Sequence, residues 1–125
     1  MKHNRIFLAL PAKAEYILTV RMLVASVASR MSFSVDTIED IKSGAAEACI
    51  LFLTTKNAPE LLNIEVTADD KFVVTITGEG LAESAQEVDR DGEELAKCLI
   101  EEFYDRADYE YDKDTLAKIV LVKQS

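Results

Sequence analysis

Histidine and cysteine are scarce in this chain, and the scarcity removes whole classes of chemistry. Cys49 and Cys98 lie nearly fifty residues apart with no CxxC spacing, and His3 is the one histidine in 125 residues. Both a disulfide framework and a zinc site are argued against. Each cysteine sits in an apolar helical pattern, so buried free thiols are expected. No apolar run approaches the ~20 residues that a membrane span requires. The start Met1-Lys2-His3-Asn4-Arg5 leads into one short apolar stretch without a small-residue cleavage site, so the expected location is the cytoplasm. Repeats, low-complexity tracts and linkers are lacking too. The 14 Lys and Arg residues form no cluster to offset 23 Asp and Glu, and the net charge is −9. That balance repels a phosphate backbone, disfavours direct nucleic-acid binding and would steer a basic partner.

What is present is a chain that is 49% apolar, enough for residues 1–125 to form a single domain with a real core. Residues 5–10 alternate and end at Pro11, which reads as a first strand at a sheet edge. Tyr16, Ile17, Val20, Leu23, Val24, Val27 and Met31 then recur at three and four, marking an amphipathic helix. Ser34 or Asp36 caps a second helix, with Glu39 and Asp40 in its first turn and a core stripe of Ile38, Ile41, Ala45, Ala48, Cys49 and Phe52. Residues 48–53 are apolar all round, so this half of the helix is buried. Lys56-Asn57-Ala58-Pro59 closes it. Leu62, Ile64 and Val66 form a strand, Asp69-Asp70 a turn, and residues 72–77 the second arm of a hairpin. Residues 78–90 are polar and irregular. Leu95, Cys98, Leu99 and Phe103 mark a third helix, and residues 107–111 and 116–123 are two last strands. The order βααββαββ implies an α+β two-layer sandwich: a mixed, mostly antiparallel sheet of about five strands, covered on one face by three helices.

The stretches Thr19-Val20-Arg21-Met22, Val27-Ala28-Ser29-Arg30-Met31, Thr37-Ile38-Glu39-Asp40-Ile41-Lys42 and Glu47-Ala48-Cys49 resemble the first two helices of bacterial anti-sigma-factor serine protein kinases of the RsbW type. These share an ATPase fold with histidine kinases and gyrase. The resemblance implies three nucleotide motifs. On the second helix a glutamate acts as general base and an asparagine one turn later holds Mg²⁺, which takes hard oxygen ligands. Glu47 matches the glutamate, but Leu51 stands at the asparagine and Thr55 where a histidine is usual. The second motif ends a strand with an adenine-binding aspartate and then glycines. Here Gly78 falls on the aspartate and Gly80 on the first glycine, while Glu79 could replace the acceptor only from the other face of the strand. The third is a lid ending in a glycine pair that offers amides to phosphates. Here the connection is short, carries Glu83, Glu87, Asp89 and Asp91, and has only Gly92 before Glu93-Glu94-Leu95. Carboxylates at that density repel a triphosphate.

Metal, base and phosphate sites each lack the group that does the work, so function must come from the site rather than the fold. Glu47 is then either a retained base or an ordinary surface carboxylate. Leu51 implies a pocket filled by side chains. A second feature needs no nucleotide: Leu18, Met22 and Ala25 lie opposite the core stripe of the first helix, with Arg21 on the flank. The resemblance places Arg21 at a partner-contacting arginine, in a helix that packs with the N-terminal strand against a second subunit and the sigma factor. An Arg beside an apolar stripe also suits an interface anchor, although scattered surface apolars are common. The expected function is that of an anti-sigma-factor-like regulator acting by protein–protein binding, with a sigma factor or an antagonist as partner, possible homodimerisation and no cofactor. The alternative is an ATP- and Mg-dependent serine protein kinase using Glu47, with Glu79 at the adenine.

Overall fold

Alternation of apolar and polar residues builds the sheet. In the computed structural model, which describes residues 5–82 and 90–124, the strands are β1 (Arg5–Pro11), β2 (Leu61–Ala68), β3 (Lys71–Glu79), β4 (Arg106–Asp112) and β5 (Thr115–Gln124). Leu62, Ile64 and Val66 of β2 and Phe72, Val74 and Ile76 of β3 are buried, while their odd-numbered neighbours face away. The strands run in the order β1-β2-β3-β5-β4. All four pairings are antiparallel, so the sheet is antiparallel throughout rather than mixed. β1 is an edge strand, as its Pro11 terminus requires. A register shift between Glu110 and Tyr111 lets Leu116 and Ile119, three residues apart, both turn into the core.

Three helices cover one face. A 3-10 turn at Ala14–Tyr16 leads into α1 (Ile17–Ala28), followed by α2 (Val35–Thr54) and α3 (Arg90–Phe103). Ser34 is the N-cap of α2: its hydroxyl accepts the Thr37 amide proton at 3.1 Å. Asp36, rather than Glu39 or Asp40, lies in the first turn. Ile41, Ala45, Ala48, Cys49 and Phe52 are fully buried, and Leu51 and Leu53 nearly so; Ile50 alone of residues 48–53 reaches solvent. α2 is the central helix, packed on α1 at one side, α3 at the other and the sheet beneath. Phe33, after α1, meets Phe72 edge to face at 6.1 Å.

α3 is rotated from the expected stripe. Ala96 and Ile100 are buried, with Tyr104 just after the helix; Leu99 and Phe103 are half-buried, Leu95 is 62% exposed, and Cys98 faces solvent. The reason lies in α2. Gly44 has no side chain, and a Cβ there would come within 2.5 Å of Tyr104 Cε2. The ring fills that gap and its hydroxyl donates to the Ile41 carbonyl at 2.8 Å. On the other flank Lys97 lies over the rings of Tyr109 (4.7 Å) and Tyr111 (4.9 Å) of β4. Among the described residues, no helix is long and apolar enough to cross a membrane.

Candidate functional site

The residues aligned with a nucleotide site come together at one end of the sandwich, where α2 ends, β3 ends and α3 lies. The side chains found at the places where the resemblance puts a metal ligand and an adenine acceptor are a buried leucine and a glycine. Leu51, where the resemblance places a magnesium ligand, is 3% exposed and belongs to the hydrophobic core. Thr55, one turn on, accepts the Leu116 amide proton at 2.9 Å and fastens the end of α2 to β5. Glu47 is half-buried on α2, three residues after Gly44 and four before Leu51. Among the described residues no group of three or more His, Cys, Asp or Glu is placed to hold a metal ion.

The end of β3, where the resemblance places the adenine motif, is packed by the chain itself. β3 runs two residues beyond the expected Thr77, so Gly78 and Glu79 are its last members. A Cβ on Gly78 would stand 2.8 Å from both Cβ and Cγ of Pro59 and 3.5 Å from Phe52 Cδ1. Glycine is therefore required there by the approach of a buried proline, and the position has no room for an aspartate. Glu60 donates its amide to the Glu79 carbonyl at 3.0 Å, and Ala82 donates to Ala58 at 2.9 Å, zipping the loop onto the strand end. Gly80 takes φ +76° in the turn that follows, beside Glu60. Glu79 pairs across from Leu61 and meets Asn63 Nδ2 at 3.5 Å. It therefore lies on the open face of the sheet, away from the helices.

At the phosphate end, Glu83, Glu87 and Asp89 lie outside the described residues. Gly92 is not ahead of α3 but inside its first turn, with Asp91 and Glu93 around it. Glu93 accepts a hydrogen bond from the Tyr111 hydroxyl at 2.7 Å and pairs with Lys97 at 3.3 Å. The Tyr111 contact, with Lys97 and Arg90 adding to it, holds the Glu93 carboxyl below its ordinary range. Burial opposes the charge on Lys97, yet Tyr111 and Glu93 together keep its pKa above the usual value. A depression next to this cluster is lined by Lys56, Arg90, Glu93, Tyr111, Lys113 and Asp114. Lys56 lies 3.8 Å from Asp114 and Arg90 acts on Glu93, so two of its three cations are offset by carboxylates.

The second candidate surface lies at the β1 side. Leu18 is 63% and Met22 64% exposed, while Arg21 and Ala25 are half-buried. Leu23, on the opposite flank of α1, packs against the core. α1 rests over β2, the neighbour of edge strand β1, whose Phe7 pairs across from Glu65 and is therefore 67% exposed on the open face of the sheet, away from α1, beneath the Arg5 guanidinium at 5.2 Å. Arg5 also pairs with Glu65. Leu18 and Met22 on α1 and Phe7 on the open face of the sheet thus belong to different surfaces.

No family model matches the chain. Curated proteins do: serine-protein kinase RsbW of Bacillus thuringiensis (strain Al Hakam), of Bacillus mycoides (strain KBAB4) and of Bacillus anthracis (strain CDC 684 / NRRL 3495) are each 46% identical over 48 residues. The match spans 38% of this chain and 30% of the length of those relatives. Among solved structures, that of the RsbU and RsbW domains of Rv1364c from Mycobacterium tuberculosis superposes with a TM-score of 0.68 at 12% identity, covering 98% of this chain and 32% of that one. The chain is thus similar in sequence to serine-protein kinases of the RsbW type over part of its length, and it has the histidine-kinase-like ATPase fold.

Proposed function

We propose that this chain is an anti-sigma-type regulator in the cytoplasm that works by binding another protein and does not hydrolyse ATP. The observation that carries the reading is the closed adenine position, where Pro59 and Phe52 take the space a side chain at Gly78 would need. The burial of Leu51 at the magnesium position adds to it. With the nucleotide end filled, the surfaces remain, and the exposed pair Leu18 and Met22 beside Arg21 has the make-up of an interface anchor. The partner would be a sigma factor or an antagonist of one, with a second copy of the chain as a further occupant. Mechanism follows from occlusion: α1 and β1 cover the partner's working surface, and release comes from a competing protein rather than from a nucleotide.

Calorimetric titration with Mg-ATP, alongside a thermal shift, tests the reading. A ligand at 100 times its dissociation constant would add about 2.7 kcal/mol to stability, so both readouts are expected to stay silent at millimolar nucleotide. Micromolar binding would overturn it and point to the serine kinase with Glu47 as base. Co-purification with a sigma factor encoded nearby, lost on Leu18→Glu or Met22→Glu with unchanged folding, tests the surface.

A further inference from the structure

We infer that the face of the sheet opposite the helices is the surface through which two copies of this chain pack back to back. All three helices lie on one side of the sheet, and among the described residues no element covers the other. Parity decides what that face presents. Phe72, Val74 and Ile76 turn into the core, so Val73 and Thr75 point outward, and the register sets Val122 beside Val73 and Val120 beside Thr75. All four are half-buried, and Thr67, across from Val73, extends the patch. A β-branched centre of this kind suits sheet-on-sheet packing, in which inner faces meet about 10 Å apart with strands within about 30° of each other.

Charge selects a second copy as the occupant. Two chains at −9 repel each other, but not through this face. Arg5 pairs with Glu65, Arg106 with Asp108 at 2.9 Å and Lys118 with Glu110 at 3.8 Å, and β3 itself runs from Lys71 to Glu79. Four cations thus answer four carboxylates, and counting Asp69 and Asp112 at the rim brings the face only to −2. A strongly charged partner, nucleic acid included, finds little to hold here. The signs are also ordered along the strands. Arg5 and Arg106 stand level with Val73, two residues from Lys71, whereas Glu110 stands level with Thr77, two residues from Glu79. A two-fold axis across the strands lays the cationic end of each copy on the anionic end of the other. An axis along them would set Lys71 against Lys71. Five strands about 4.8 Å apart and some seven residues long give a face of roughly 20 by 24 Å. The pair would bury about 1,000 Å², the lower bound for a specific interface, so the dimer is reversible. It leaves α1 of each copy on the outside, with Leu18 and Met22 open to another protein.

The test is sedimentation velocity of the full chain at high micromolar concentration, where the wild type is expected to dimerise. Lys71→Glu and Glu79→Lys each set like charges together at both ends of the interface and should weaken self-association by about tenfold. Mixed one to one, the two variants should pair with each other at about the wild-type affinity, because each end then meets its opposite, and the double variant should regain it as well. A role in folding alone cannot produce that pattern. Val122→Lys, with an unchanged circular dichroism spectrum, should leave a monomer. A wild type that stays monomeric overturns the inference, as does a dimer that survives both charge reversals. Dissociation by Met22→Glu, with the open-face variants still dimeric, moves the contact to α1 and overturns it too. None of these results touches the partner-binding reading, whose own test is capture of the partner.

Discussion

Gly78→Ala is the sharpest probe of the close packing at the end of β3, because two effects of known sign oppose each other. Replacing glycine by alanine in extended backbone restricts the unfolded chain and would by itself stabilise by about 0.4–1 kcal/mol. At this position the new methyl would lie 2.8 Å from two atoms of the Pro59 ring, closer than carbon atoms pack. Pro59 is buried and held by the Glu60 and Ala82 amide contacts on either side, so it cannot swing away as a flexible side chain would. Overpacking of this kind costs about 1–3 kcal/mol, which leaves a net loss of roughly 0.5–2 kcal/mol after the unfolded-state gain. For a domain of this size that is a fall in Tm of about 2–8 °C. Urea and thermal unfolding of the wild type, Gly78→Ala, Pro59→Gly and the double variant form a cycle. Because Pro59→Gly removes both close atoms, the two changes should couple favourably by more than about 0.5 kcal/mol. A Gly78→Ala protein as stable as the wild type, with no coupling, would refute the closure and reopen the site to an aspartate. Gly78→Asp in the otherwise unchanged chain is expected to gain no Mg-ATP affinity.

The Gly44–Tyr104 contact yields a companion pair. Gly44→Ala should destabilise by about 2–3 kcal/mol through displacement of the ring, and Tyr104→Phe by about 1 kcal/mol through loss of its bond to Ile41, both measured by urea denaturation. The two thiols should separate in a labelling assay. Exposed Cys98 reacts with Ellman's reagent in the native protein, whereas Cys49, its pKa pushed up to about 12 by burial, reacts only after unfolding. The Glu93 carboxyl titrates below its ordinary 4.5, so its contribution is complete above that value and lost as pH falls through the folded pKa. The stability difference between wild type and Glu93→Gln should hold above about pH 5 and shrink below about pH 4.

The strands could be read from sequence because each packs one face on the helices, and burial imposes a period of two that residues 61–67 and 72–77 display openly. α1 and α2 were legible for the same reason at helical period. α3 was not: its anchors are Ala96, too small to stand out, Ile100, and Tyr104 beyond the helix end, while Leu95, the most conspicuous apolar residue, is exposed. What turns α3 is a vacancy at Gly44, sixty residues earlier in the chain, and a period within one segment carries no trace of such a partner. The nucleotide positions show the same division. Leu51 marked a departure from the resembled motif by its own chemistry, but the reason for Gly78 lies in Pro59, which reads in sequence only as the end of a helix. Glu79 could be assigned to the open face in advance because strand parity alone decides it.

The central position of α2 has a consequence for genetics. α2 touches both other helices and the sheet, so damaging substitutions along its buried stripe remove the protein from the cell by lowering its folded population, since a loss of 1–2 kcal/mol alters abundance several-fold. Such alleles would score as loss of regulation while saying nothing about how regulation works. Alleles at Leu18 and Met22, where the side chains meet solvent, would keep normal abundance and separate the binding phenotype from the folding one. A screen that measures protein level beside output would sort its hits by helix.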